Sequence, residues 1–240
     1  MNTMTKFTAL GILLAGSLSG MQMAHAFSDP NDTDCYNEVN GTPALFSMWD
    51  WFQRGDSGCL VNDKVWTLKS IDNDLTQAVA EGIQVSFNAT GPGLLTQQIN
   101  LSPPVQPFPG TGFFTFDYTG VILDEDKVFT KVDLDVDKPD ADTDTSVTKR
   151  VYEYDPLGDD APGDLLATLT SSGGGVDAPL VPNPRAIWVS EEVNVTDADS
   201  INSVTNVFEQ TRIPEPISTT LIGAGLIGLA ALRRRRSTKA

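Results

Sequence analysis

The sequence predicts an all-β body, an antiparallel β-sandwich or jelly-roll-like stack, with one short N-terminal helix and a single C-terminal transmembrane helix. Three observations carry this. Nine β-prone segments of strand length, residues 65–68, 83–87, 94–101, 113–118, 127–137, 146–154, 165–170, 186–195 and 203–210, are separated by Gly, Pro, Asn or Asp. Only one stretch of the body has helical periodicity, whereas a parallel sheet would need a helix in each crossover. Residues 127–137 alternate most strictly: Val128, Val132, Leu134 and Val136 share one face, and Lys127, Lys131, Asp133, Asp135 and Asp137 the other, with only Phe129 and Thr130 blurring the pattern. Such a strand has one wet face and one dry one.

Taken in order, Lys6 precedes an apolar stretch at 7–18, and Ala24-His25-Ala26 has the small-x-small form of a signal-peptidase site. Residues 1–26 therefore read as a signal peptide, and the mature chain as starting at Phe27. Residues 27–41 are a polar arm pinned at Cys35. Thr42 offers an N-cap and Pro43 a first helical position, before Leu45, Met48, Trp49 and Phe52 recur at i, i+3, i+4, i+7; Gly55 and Gly58 end the helix. The Trp49/Phe52 stripe reads as a helix face buried against a sheet. After the nine strands begin, residues 102–111 are a proline-rich loop, and residues 171–184, with Gly173-Gly174-Gly175 and three prolines, read as a surface loop. Asp63-Lys64-Val65-Trp66-Thr67 recurs as Asp126-Lys127-Val128-Phe129-Thr130, which reads as two similar strand starts.

The body between the two targeting ends, residues 27–212, suffices for one domain with a sizeable core. It holds 31 of the 32 acidic residues, all but Glu215, and 10 of the 16 basic ones, a net charge of −21. That sign excludes nucleic acid as a partner and makes divalent cations the natural counter-ions. The two cysteines, Cys35 and Cys59, form an even count in a chain that reads as exported, which favours one disulfide over two free thiols.

Residues 213–240 form a three-part tail. Pro214-Glu215-Pro216 should be extended, since each proline disfavours the α region before it. An uncharged run, 217–232, follows, and Arg233, Arg234, Arg235 and Arg236 close it. At ~1.5 Å per residue the run reaches about 24 Å, a marginal span of a ~30 Å hydrocarbon core. The arginines would stay on the cytoplasmic side. The tail closely resembles the PEP-CTERM sorting signal of Gram-negative bacteria, in which these three parts end an exported protein and the membrane enzyme exosortase processes them. The body is also similar to a recurrent group of such proteins, through the turn into Asn62-Asp63-Lys64-Val65-Trp66, the 146–154 strand, the glycine-rich loop and Ser200-Ile201-Asn202-Ser203-Val204. The resemblance implies a cellular address and no reaction.

With His25 in the signal peptide, the mature chain has no histidine, so a Ser-His-Asp or Cys-His pair and histidine-based metal sites are excluded. No phosphate-binding glycine motif is present. Paired carboxylates could serve a glycosidase, but 32 acidic residues would supply such a pair by chance. The sharpest acidic cluster is Asp133, Asp135, Asp137, Asp140, Asp142 and Asp144. Lys138 stands where an EF-hand loop needs glycine, which leaves a looser oxygen site from Asp137, Asp140, Asp142 and Asp144 as a speculative Ca²⁺ position against the plainer reading of a solvated acidic loop. The rings able to stack on sugar are Tyr36, Trp49, Trp51, Trp66, Tyr118, Tyr152, Tyr154 and Trp188, most of them expected in the core.

The expected function is an exported, non-enzymatic cell-surface or matrix protein linked to exopolysaccharide or biofilm. It would be anchored transiently in the inner membrane and processed by signal peptidase and exosortase. The alternatives are a carbohydrate-binding adhesin module and a secreted hydrolase. No cofactor is expected besides the speculative Ca²⁺.

Overall fold

The computed structural model describes residues 35–37, 42–43, 45–72, 75–90, 95–102, 112–139, 144–195 and 201–213. The signal peptide, Pro214-Glu215-Pro216, the apolar run, the four arginines, Asp140 and Asp142 lie outside the described residues, and so does the 103–111 part of the proline-rich loop. Among the described residues, no helix is long and apolar enough to cross a membrane.

Two six-stranded antiparallel sheets pack face to face. In chain order the strands are β1 (Tyr36–Asn37), β2 (Thr42–Pro43), β3 (Leu45–Ser47), β4 (Cys59–Val61), β5 (Lys64–Ile71), β6 (Gln84–Thr90) and β7 (Thr96–Ser102). They continue as β8 (Gly112–Ile122), β9 (Lys127–Asp137), β10 (Ser146–Glu153), β11 (Leu165–Ser171), β12 (Gly174–Pro179), β13 (Ala186–Val195) and β14 (Ser203–Arg212). One sheet has the order β11-β10-β13-β8-β5-β4, the other β12-β9-β14-β7-β6-β3, and β1 pairs with β2 alone. The two orders run in step: each strand holds the same rank as a sequence neighbour in the opposite sheet. All nine strands expected from the sequence are present, two of them (β9 and β13) with the expected bounds. The all-β sandwich is thus the observed architecture.

Three expectations need correction. The first concerns the helix, which is shorter and starts later, as α1 (Met48–Gln53). Ser47, not Thr42, is the N-cap: its hydroxyl accepts from the Asp50 amide at 3.0 Å, and its own amide donates to the Asp50 carboxylate at 3.1 Å, a capping box. Residues 45–47 are instead taken up by pairing with β6, and Pro43 lies in β2. The buried face is accordingly Met48 and Trp51, while Trp49 and Phe52 are only half-buried. Second, a further helix, α2 (Gln77–Gly82), connects β5 to β6; with Ala80 as its one buried residue it has no apolar stripe to betray it. Third, the glycine-rich loop at 171–184 contains β12, paired with β9 from Gly174↔Val136 to Pro179↔Lys131. Gly173 and Gly174, at φ +127° and +84°, supply the turn that an L side chain would strain, and an edge strand tolerates glycine and proline.

The blur at Phe129-Thr130 is a β-bulge: β14 pairs Glu209 with Lys131 but Gln210 with Phe129, so Thr130 is the extra residue, Phe129 turns inward, and the expected faces exchange before it, with buried Lys127 rather than Val128 on the side of Phe129. The recurring Asp-Lys-Val-aromatic-Thr segments open β5 and β9 in opposite sheets and meet. Asp63 bridges Lys64 and Lys127 at 2.5 and 2.6 Å, and the Trp66 and Phe129 rings lie 6.0 Å apart. Around them sits an aromatic core of Trp51, Trp66, Phe87, Tyr118 and Phe208, all fully buried, with Trp66 and Phe208 joining the sheets at 4.6 Å.

Candidate functional site

Cys35 and Cys59 form a disulfide, with Cα atoms 5.4 Å apart and both side chains fully buried. It ties the segment before β1 to β4, one residue beyond the Gly55–Ser57 turn and Gly58.

The acidic face of β9 is also as expected in register, but its charge is answered from within. Lys131 lies 2.8 Å from Asp177 of β12, 3.1 Å from Asp133 and 3.5 Å from Glu209 of β14. Hydrogen bonds to Asp177 and Asp133 hold the Lys131 ammonium well above its ordinary pKa. Asp137, at the strand end, is engaged by Asn202, whose amide donates to its carbonyl at 2.8 Å and whose side chain donates to its carboxylate at 3.4 Å. Asp144 is exposed. Among the described residues, no group of three or more acidic, cysteine or histidine side chains is arranged to hold a metal ion.

Of the sugar-stacking candidates, Trp51, Trp66 and Tyr118 are consumed by the core, and the Tyr36 side chain lies outside the described residues. Trp49 packs against Phe52 at 5.6 Å. Tyr152, Tyr154 and Trp188 come together on the outer face of the first sheet: Tyr152 and Trp188 are cross-strand partners, and the Tyr154 and Trp188 rings meet edge-on at 5.8 Å. Lys69 joins them because it is the extra residue of a bulge in β5, between Leu68 and Ser70. Its ammonium lies 2.9 Å from Asp160, which also accepts from the Tyr154 hydroxyl at 3.1 Å, and 5.9 Å from the Tyr154 ring. Burial alone would lower the Lys69 pKa, but Asp160, Tyr154 and Asp56 raise it overall. The two tyrosines are half-buried, while Trp188 is 8% exposed. This patch sets two half-buried tyrosine rings beside hydrogen-bonding side chains.

A second polar constellation lies inside the sandwich, where the sequence reading placed nothing. Lys149 on β10 and Glu191 on β13 are cross-strand partners and face the opposite sheet, and both are fully buried. The Lys149 ammonium donates to the Asp133 carbonyl at 3.1 Å and sits 4.0 Å above the Phe208 ring. Tyr118 donates its hydroxyl to Glu191 Oε1 at 2.6 Å. Asn206, fully buried on β14 two residues before Phe208, places its amide near enough to Glu191 to favour the carboxylate. Neither polar atom of that amide, nor Glu191 Oε2, makes a well-formed hydrogen bond with the described residues. Burial pushes the Lys149 pKa down to about 8 and the Glu191 pKa up, each partly opposed by the other's charge. A signal for this cluster does exist in the chain: Val147-x-Lys149-x-Val151, Val189-x-Glu191-x-Val193 and Val204-x-Asn206-x-Phe208 each put a polar residue at an inward position of a strand.

No family model matches the chain, and no curated protein does. Among solved structures, it is similar to TmCBM61 in complex with β-1,4-galactotriose, at 10% identity and a TM-score of 0.31 over 61% of this chain and 88% of that one. A chitosan-binding module from a chitosanase/glucanase of Paenibacillus sp. IK-5 gives 15% identity and a TM-score of 0.25, over 62% of this chain and 95% of that one. The enzymatically active domain of a bacteriophage CBA120 tailspike gives 16% identity and a TM-score of 0.29, over 62% of this chain and 19% of that one. These scores are too low to carry a ligand or a reaction over to this chain.

Proposed function

We propose that the chain is an exported, non-enzymatic surface or matrix protein whose β-sandwich body is delivered by an N-terminal leader and sorted by its Pro214-Glu215-Pro216 tail. The observation that best supports export is the Cys35–Cys59 disulfide, which joins the only two cysteines in the sequence and persists in oxidising compartments. The tail supports sorting through its order of Pro-Glu-Pro tripeptide, short apolar run and arginines. On this reading signal peptidase releases Phe27 and exosortase removes Arg233, Arg234, Arg235 and Arg236. Top-down mass spectrometry of the surface fraction should find a chain that starts at Phe27 and lacks the four arginines. Finding them on the mature protein would leave a plain membrane anchor and end the sorting proposal.

A second reading, a glycan-binding adhesin, is favoured by the Tyr152, Tyr154 and Lys69–Asp160 patch, which sets half-exposed rings beside hydrogen-bonding groups. On a glycan array including bacterial exopolysaccharides, retention that Tyr154→Ala removes would support it. An array without any retention leaves the structural role.

A further inference from the structure

The Lys149, Glu191 and Asn206 cluster is unusual for a sandwich core because it buries an amine, a carboxyl and a carboxamide together and leaves the carboxamide without hydrogen bonds of normal geometry among the described residues. An orphaned buried amide costs roughly 1–3 kcal/mol, so a core that keeps one calls for an explanation. We propose that Lys149 and Asn206 join in an intramolecular amide bond, from Nζ to Cγ, with Glu191 moving the proton between them.

The strand registers bring the partners together. Lys149 reaches from β10 across the core to the Asp133 carbonyl, and Asp133 pairs with Val207, the residue after Asn206. The ammonium rests on Phe208, which shares an inward face with Asn206. Glu191 lies opposite Lys149 on the neighbouring strand, and the Asn206 amide is near enough to favour its carboxylate, so one carboxyl group stands beside both reactants. Tyr118 holds its other oxygen, which fixes the orientation of the carboxyl.

The chemistry closes without an outside reagent. The neutral amine of Lys149 attacks Cγ of Asn206; as the new N–C bond forms, the Glu191 carboxyl group takes one proton from Nζ and passes one to Nδ2, and the C–Nδ2 bond breaks to release ammonia. Amine plus carboxamide gives a secondary amide plus ammonia, with no change in oxidation state. With the Lys149 pKa lowered to about 8, roughly a tenth of the amine is free at pH 7. Full burial of all three side chains excludes water, which would otherwise compete as the nucleophile. The product ties β10 of one sheet to β14 of the other, and it converts the orphaned amide into one with a single N–H.

The full chain, purified, reduced and digested with trypsin, decides this. The expected result is a branched peptide joining the segments that carry Lys149 and Asn206, about 17 Da lighter than their sum, with no cleavage after Lys149. Asn206→Ala and Lys149→Met should each abolish it, and Glu191→Gln should reduce the linked fraction at least about tenfold. Linear wild-type peptides ending at Lys149 in full yield would overturn the proposal, as would a link mapped to any residue other than Asn206. The wild-type digest alone is decisive, whether or not a variant folds.

Discussion

Gly120 has no side chain because Trp66 occupies its place: a Cβ there would collide with the indole of its cross-strand partner. The glycine surface is covered by the ring, and the ring is held in turn by Phe208, Phe129 and Tyr118. Gly120→Ala should therefore cost about 1–3 kcal/mol, read as a lowered urea midpoint with an unchanged slope. A neutral effect would mean that the indole can move aside. Lys149 makes a prediction of the opposite kind. Its pKa in the folded chain, about 8, lies below the ordinary lysine value of 10.5, so between these pH values the unfolded chain binds more protons and stability rises with pH. In Asn206→Ala, where the amine must stay free, stability should rise by about 2–3 kcal/mol from pH 7 to pH 10. Adding Lys149→Met to that background should remove the rise, while the depressed pKa of Lys64 contributes equally to both chains and cancels.

At the scale of elements, the strands were legible because a half-buried strand writes a two-residue period into the sequence, and β9 shows it from Lys131 to Asp137. The helices were less so: α1 was expected but not its start, and α2 was missed. In α1 the apolar residues run through Leu45, so periodicity alone could not say where strand gave way to helix; the Ser47–Asp50 capping box decided it. β12 was hidden by its glycines and prolines, because an edge strand is specified by its partner rather than by its own propensities. On the outer face of β9, β12 and β14, Lys131 holds three carboxylates together across three strands. Lys131→Met should leave Asp133, Asp177 and Glu209 repelling one another and lower the denaturation midpoint, and ~0.5 M NaCl should restore most of the loss. A loss insensitive to salt would assign the role of Lys131 to packing of its stem.

At the scale of the whole molecule, the disulfide is the covalent tie between the segment around β1 and the first sheet. Cys35 and Cys59 are separated by 24 positions, and closing such a loop in the unfolded chain is worth roughly 3–4 kcal/mol in the chain-entropy model. Cys59→Ser should lower the melting midpoint without abolishing the fold, since the Trp66–Phe208 contact that joins the two sheets involves neither cysteine. Two alkylatable thiols in the native, unreduced protein would refute the pairing in solution.

By itself the sequence determined the class of the body, the position of nine of its strands, which face of β9 is wet from Lys131 onward, and which residues could not form a histidine-based site. Those properties are local or compositional, carried by a period of two, by turn residues and by the absence of a residue type. Only the tertiary structure decided the strand order, the pairing of β12, the bulge that aims Lys69 at Tyr154, and the meeting of Lys149, Glu191 and Asn206. These depend on which strands become neighbours and which faces oppose each other, and residues 149, 191 and 206 share no local signal beyond an inward position. A polar residue at such a position costs free energy unless something across the core answers it, and that partner is set by topology, which no local pattern encodes.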